Sequence, residues 1–193
     1  LIITILMFLL SFYWAAVFGG LGFLFVTWFF RDPERHIPNE PNVIVSPADG
    51  KITEIVTEKE PINGELCKRV TIFLSVFNVH VNRVPIAGTI EEIRYNPGKF
   101  LAAFNPKASM DNEQNIILIN NGKTHVFVKQ IAGLIARRIV CWPKKGDYYE
   151  SGQRYGLIRF GSRVDILLPE TAKLSVACGD RVSGGKSIIG YLT

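Results

Sequence analysis

Charge is absent from the first thirty residues. LIITILMFLLSFYWAAVFGGLGFLFVTWFF holds no Asp, Glu, Lys, Arg or His, and it exceeds the roughly 20 apolar residues that cross a bilayer. A cleaved secretory leader has a shorter apolar region, about 7–15 residues, ahead of a small-residue cleavage site. Here the run ends instead in WFFRDPERH, aromatic rings followed by charge. The expectation is a retained membrane anchor over residues 1–30. As one helix it would measure about 45 Å against about 30 Å of hydrocarbon. It therefore either tilts across the bilayer or breaks near Gly19, Gly20 and Gly22 into a hairpin that dips in. Arg31 and Arg35 follow at once, so the positive-inside rule puts the remainder on the cytoplasmic face of the cell membrane.

Cysteine and histidine are scarce as well. The chain has 3 Cys (Cys67, Cys141, Cys178), odd in number and without CxxC spacing, and 3 His. Neither a disulfide framework, nor zinc, nor a histidine-rich metal site is indicated. The net charge of +5 suits anionic lipid headgroups. Lys and Arg are scattered rather than clustered, so nucleic acid is not the expected partner.

Beyond the anchor the chain is punctuated by turns. RDPERHIPNEPN, residues 31–42, is a Pro-rich connector unsuited to regular structure. Residues 43–193 then alternate short β-type runs with turn signals: VIVSP, GKITEIVTE, KRVTIFLSV, GTIEEIRY, NIILINNGKTHVFVKQIAG, ARRIVCW, YGLIRF, RVDILLP, AKLSVA and SIIGYL. Asn121-Gly122 marks a hairpin. Only GKFLAAFNPKAS reads as helix, and weakly. The expected domain is mainly β, a barrel or sandwich with minor helix. An internal echo supports this. KGDYYESGQRYG (145–156) and CGDRVSGGKSIIG (178–190) share Gly-Asp, a glycine six residues after the first and another four or five further on, and VSPADGKITEI (45–55) is related. The two Gly-Asp segments resemble the turns of biotinyl- and lipoyl-type barrel–sandwich domains.

Four segments are denser in special residues than β architecture requires. In YGLIRFGSRVDILLP, Gly161 and Ser162 interrupt a strand, which by itself reads as a kink with a filler serine. In SPADG, Asp49 before Gly50 is by itself a turn former. In FLSVFNVHVNRVP (73–85), read as an alternating strand, Asn78, His80 and Asn82 fall on one face. That face is either solvated or a site, His being the side chain that exchanges a proton near neutral pH. NPGKFLAAFNPKASMDNEQN (96–115) is a long connection with Lys99 and Lys107, either surface cations or partners for a phosphate.

Taken together, FFRDPER, SPADGKI, FLSVFNVHVNRVP, NPGKF, DNEQN, QIAGLIARRI and IRFGSRVDILLP resemble the phosphatidylserine decarboxylase family in its short, membrane-anchored subfamily. The resemblance runs in order from residue 29 to 193. It implies a proenzyme that cuts itself at Gly161–Ser162 into a β chain (1–161) and an α chain (162–193), which stay together as a heterodimer and can oligomerise further. Ser162 would become a covalent pyruvoyl group, with no metal and no pyridoxal phosphate. That group would form a Schiff base with the serine headgroup of a membrane phospholipid and release CO2, leaving the ethanolamine lipid. The lipid is either phosphatidylserine or an ether-linked archaetidylserine. The resemblance implies that Asp49 acts in self-processing and that His80 lies beside the pyruvoyl group; Asn78, Arg83 and Lys99 are the substrate-binding candidates.

The chain departs from the family's longer branch, which carries a second His where Arg83 stands and Gly-Ser-Thr where this chain has Gly161-Ser162-Arg163. The self-processing base is therefore either His80 serving twice or Asp49 acting through a water, with Arg83 facing Asp49 or a phosphate. Three rival readings are a membrane-anchored serine hydrolase, a non-catalytic biotinyl-like carrier and a pyruvoyl decarboxylase of soluble amines. The carrier lacks a modifiable lysine at a Met-flanked hairpin tip, and the anchor disfavours a soluble amine.

Overall fold

The computed structural model describes residues 1–61, 64–98, 112–133, 138–158 and 162–193. Gly161 and Lys99 lie outside the described residues, as does nearly all of the weak helical expectation over 98–109. The chain divides into two compact units, Leu1–Asp32 and Pro33–Thr193.

The first unit is helix α1, Ile2–Phe29, uninterrupted through Gly19, Gly20 and Gly22. Its 28 residues span about 42 Å, and it is long and apolar enough to cross a membrane. The hairpin alternative is not what forms. The hydroxyls of Ser11 and Thr27 fold back onto the carbonyls of Met7 and Phe23, each at 2.9 Å, so these polar groups need no outside partner. Past the helix end, the Arg31 guanidinium lies 4.3 Å over the Trp28 ring and donates to the Trp28 carbonyl. This is the aromatic-plus-cation composition of a membrane interface.

The second unit is mainly β. An eight-stranded antiparallel sheet runs β13 (Arg181–Val182), β2 (Gly50–Lys59), β3 (Leu66–Leu74), β11 (Ser162–Pro169), β7 (His125–Ile131), β6 (Gln114–Asn120), β5 (Gly88–Asn96), β9 (Tyr148–Tyr149). Two small sheets add β1 (Val43–Val45), β14 (Ile188–Tyr191) and β12 (Lys173–Leu174), and β4 (Val81–Arg83), β10 (Arg154–Ile158) and β8 (Ile139–Cys141). Alternation explains the burial of β11, a central strand. Val164, Ile166 and Leu168 enter the main core with Ile72, Val128 and Ile117, while Leu167 joins a second cluster with Cys67, Leu118 and Phe127 on the opposite face. The hairpin at Asn121-Gly122 forms: Asn120 pairs with His125, Gly122 has φ +85, and Asn121 Oδ1 accepts the N–H groups of Lys123 and Thr124.

The unit is internally duplicated. Residues 43–55 and 81–93 keep Val, Pro, Gly, Ile, Glu and Ile at matching places (Val43/Val81, Pro47/Pro85, Gly50/Gly88, Ile52/Ile90, Glu54/Glu92, Ile55/Ile93). The two segments bond reciprocally. Val45 N–H donates to Pro85 O and Arg83 N–H to Pro47 O, both at 2.9 Å. Each carries a β-bulge at the same place, Ile52/Glu54 and Ile90/Glu92. The Gly-Asp echo is the second half of the same repeat. Gly179 N–H donates to Ile52 O and Gly146 N–H to Ile90 O, both at 2.8 Å, and Asp180 and Asp147 each accept the N–H three residues back.

One expectation fails here. Residues 73–85 are not a single alternating strand. β3 ends at Leu74 and a turn comes next, in which Asn78 Oδ1 accepts both the N–H (2.9 Å) and the hydroxyl (2.7 Å) of Ser75. A side-chain amide that satisfies the local backbone this way competes with strand pairing. Extended chain resumes only at His80, whose carbonyl accepts Ile158 N–H at 3.2 Å.

Candidate active site

Ser162 opens β11 opposite Leu74, and by alternation its side chain shares the inner face with Val164 and Ile166. It is 0% exposed, and its Oγ has no hydrogen-bond partner among the described residues. Burying a hydroxyl unpaired costs about 1–3 kcal/mol, which makes serine a poor filler for this apolar strand face.

His80 and Asn82 come to the same interior from the short sheet. Leu157 pairs with Val81 and Gly156 with Asn82, and the His80 carbonyl extends that ladder. Period two therefore puts His80 and Asn82 on one face, and both are buried. Asn78 is separated from them by the turn it closes, so the predicted three-residue stripe reduces to two. Asn82 Oδ1 accepts from Gln130 Nε2 (2.8 Å), and Gln130 Oε1 accepts from Asn115 Nδ2 (3.2 Å), forming a buried amide chain from β4 through β7 to β6. Asn82 Nδ2 has no partner among the described residues. Around this chain, burial raises the Cys141 thiol against the opposing bond from Asn115, and burial drives the Tyr155 phenol well above its ordinary value.

Asp49 lies just before β2. Lys51 pairs with Phe73, so Gly50 falls beside Leu74, which is opposite Ser162. Two strand spacings, about 10 Å between Cα atoms, then separate the start of β2 from Ser162. Asp49 Oδ1 accepts Gly184 N–H (2.7 Å) and Arg35 Nη2 (3.2 Å), and Oδ2 accepts Arg35 Nη2 (2.9 Å). Arg83, expected to face Asp49 or a phosphate, donates to the carbonyls of Gly152 (3.0 Å) and Pro33 (3.1 Å). Ser46 Oγ closes the SPADG turn onto Ala48 O at 2.7 Å.

The opposite face of β11 carries a buried ion network. Arg163 grips Asp165 at 2.6 and 2.9 Å and reaches Thr71 Oγ1 at 3.2 Å. Arg69 bonds Glu54 and Glu58, both at 2.8 Å. Lys129 stands opposite Asp165 in register, its ammonium pulled below the usual lysine range by burial while Asp165 opposes the shift. The Arg163/Asp165 spacing of two in GSRVD was the signal for this clamp. Arg35 and Gln130 were the participants that sequence reasoning passed over; a carboxylate partner fourteen residues away leaves no periodic trace. Among the described residues, no group of three or more His, Cys, Asp or Glu is placed to hold a metal.

A family model described as phosphatidylserine decarboxylase matches residues 23–190, which makes the chain an enzyme of the decarboxylase class. Proteins named phosphatidylserine decarboxylase proenzyme are close to it throughout. That of Desulfotalea psychrophila is 52% identical over 176 residues, covering 89% of this chain and 81% of the relative. That of Syntrophus aciditrophicus is 48% identical over 180 residues (92% and 84%), and that of Geotalea uraniireducens 46% over 191 (98% and 90%). The chain belongs to the phosphatidylserine decarboxylase family.

Proposed function

We propose that the chain is a self-processing proenzyme that removes the serine carboxylate of phosphatidylserine, giving the ethanolamine lipid and CO2. The observation that carries this reading is the Ser162 Oγ, buried at the start of a central strand and without a hydrogen-bond partner among the described residues. Self-cleavage begins when Oγ attacks the Gly161 carbonyl carbon; the amide C–N bond breaks and an ester forms, leaving a free amine on residue 162. Loss of the residue 162 Cα proton and rupture of its Cβ–O bond then release the Gly161 carboxylate. Water replaces ammonia on the dehydroalanine that remains, which blocks chain 162–193 with a pyruvoyl group. That group supplies a ketone conjugated to an amide carbonyl, an electron sink for breaking a Cα–carboxylate bond on a primary amine.

The protein's own residues do the rest. His80, buried on the face that Asn82 shares, holds the departing carboxylate or returns a proton to Cα. Asp49 takes part in self-cleavage. Asn78, Arg83 and Lys99 are proposed contacts to the headgroup, on their amide and cationic chemistry. The new terminus keeps its place because β11 is paired with β3 along its whole length and with β7 along five residues, so chains 1–161 and 162–193 remain one heterodimer. The apolar helix fixes the domain at the membrane, with Arg31 favouring the cytoplasmic face. A lipid that stays in the bilayer then has only its headgroup to lift. Ether-linked archaetidylserine presents the same headgroup and is an equally acceptable substrate by this chemistry.

The test is the mass of the expressed protein under denaturing conditions. Two fragments meeting at 161/162, the smaller blocked at its N-terminus, are expected, with Ser162→Ala uncut and inactive. An intact chain that decarboxylates refutes the reading, and an intact chain acylated at Ser162 by serine-directed reagents supports a hydrolase instead.

A further inference from the structure

The Pro-rich connector carries no helix or strand over residues 31–40, yet part of it is a docked strap. Residues 33–37 belong to the β unit. Arg83 donates to Pro33 O at 3.1 Å, Arg154 to Glu34 Oε1 at 2.7 Å, and Arg35 to both oxygens of Asp49. Ile37 fills the space where Gly152 and Gly185 lack side chains; a Cβ on Gly185 would meet Ile37 Cδ1 at 3.0 Å. Both glycines have positive φ (+75 and +73) that other residues rarely adopt. They are also equivalent in the internal repeat: Gly152 N–H donates to Val84 O and Gly185 N–H to Ser46 O. Ile37 therefore sits where the two halves of the repeat meet.

The repeat separates what the fold needs from what has been added. Ala87 occupies, in the second copy, the place of Asp49 in the first, and the turn there still delivers Gly88 to its strand beside Asn120. A carboxylate is thus not required to make this turn. Asp49 and the arginine brought to it are additions to one half only. Their geometry is also selective. A carboxylate oxygen has two lone pairs. Oδ1 accepts two bonds, from Gly184 and Arg35, whereas Oδ2 accepts one, from Arg35.

Building on the proposed role of Asp49 in self-cleavage, we infer that Arg35 is a positioning residue for that reaction. The strap lays the Arg35 guanidinium along Asp49 and bonds both of its oxygens; with Gly184 N–H it fills Oδ1, and it leaves one lone pair of Oδ2 to serve the proton relay from Ser162. Gly50 starts its strand about two strand spacings from Ser162, so the proton is relayed between the two side chains rather than passed directly. As Oγ bonds to the Gly161 carbonyl carbon, its proton is relayed to Oδ2, and it returns to the residue 162 nitrogen as the C–N bond breaks. The segment that joins the anchor to the domain is on this account part of the processing machinery.

The experiment follows cleavage of the full-length chain in time by fragment mass, alongside its melting midpoint. Arg35→Ala should slow cleavage by about 10- to 100-fold, the size expected when a catalytic group is misplaced by about 1 Å, with little change in melting. Added guanidinium or ethylguanidinium ions should restore part of the rate, and Arg35→Lys should fall between. Cleavage of Arg35→Ala at the wild-type rate overturns the inference. So does slowing that tracks a fall in melting and is not relieved by guanidinium. Asp49→Asn separates the two layers: if it cleaves normally, the role given to Asp49 fails; if it stays uncut while Arg35→Ala cleaves normally, only the role of Arg35 fails.

Discussion

Removing the Asp165 carboxylate tests whether the outer-face clamp holds the strand that begins at the proposed scissile bond. Asp165 is 1% exposed and takes both arms of the Arg163 fork. Asp165→Asn leaves the buried Arg163 guanidinium with Thr71 Oγ1 at 3.2 Å and a half-exposed Glu54 at 4.0 Å. Breaking a buried pair by deleting one partner costs about 3–5 kcal/mol. Glu54 and Glu58, already holding Arg69 nearby, supply some compensation, which favours the lower end, about 3 kcal/mol. For a domain of this size each kcal/mol moves the midpoint by about 2–4 °C, so a fall of about 6–12 °C is expected. The assay is thermal melting of the Ser162→Ala chain, which on the proposed function remains one polypeptide and keeps the comparison close to two-state. Replacing both partners, Arg163→Met with Asp165→Leu, should cost less than the single change, because no buried charge is then stranded. A single-variant loss under about 1 kcal/mol, or a double variant as unstable as the single, would show that the pair is solvated and not a clamp.

Two more outcomes rest on named groups. His80→Ala should still cut itself but lose decarboxylation, measured as CO2 release from phosphatidylserine vesicles; if it stays uncut, His80 also serves as the processing base. Burial, with Glu58 and Glu60 adding repulsion, pushes the Cys67 thiol up to about 11 from 9.0. A folded value above the unfolded one means that stability is intact below about pH 9 and declines as pH rises toward 11. The drop in melting midpoint between those pH values should be smaller in Cys67→Val than in the parent chain, and equal drops would remove Cys67 as its source.

Local patterns carried much of the fold. The alternation of Val164, Ile166 and Leu168 and the Asn121-Gly122 turn were readable because neighbours in sequence settle both. The stretch 75–82 was misread for a physical reason: VFNVHVN alternates like a strand, but a single amide, Asn78, overrides the ladder by taking two Ser75 donors. The family was legible from motifs spread over the chain. The partners of those motifs were not, because Arg35–Asp49 and Gln130–Asn82 are made by the fold across 14 and 48 residues. The longer repeat was present in the sequence as VIVSPADGKITEI and VNRVPIAGTIEEI, yet only its Gly-Asp half stood out.

That repeat is also the best guide to where function was added. Two segments that fold alike and bond reciprocally need the same residues for folding, so their differences are not explained by the fold. Ile44 and Val45 in one copy become Asn82 and Arg83 in the other, and Asp49 becomes Ala87. Asn82 is buried with a donor that has no partner among the described residues, Arg83 holds the strap carbonyl of Pro33, and Asp49 holds the strap guanidinium. Each polar departure is costly by the rules of an apolar β core, and each lies on the His80 face or under residues 33–37. The half that supplies Asn82 and Arg83 and the half that supplies Asp49 are each polar where the other is not. The proposed site is therefore built across the repeat rather than within either copy, and a single copy of the motif would not assemble it.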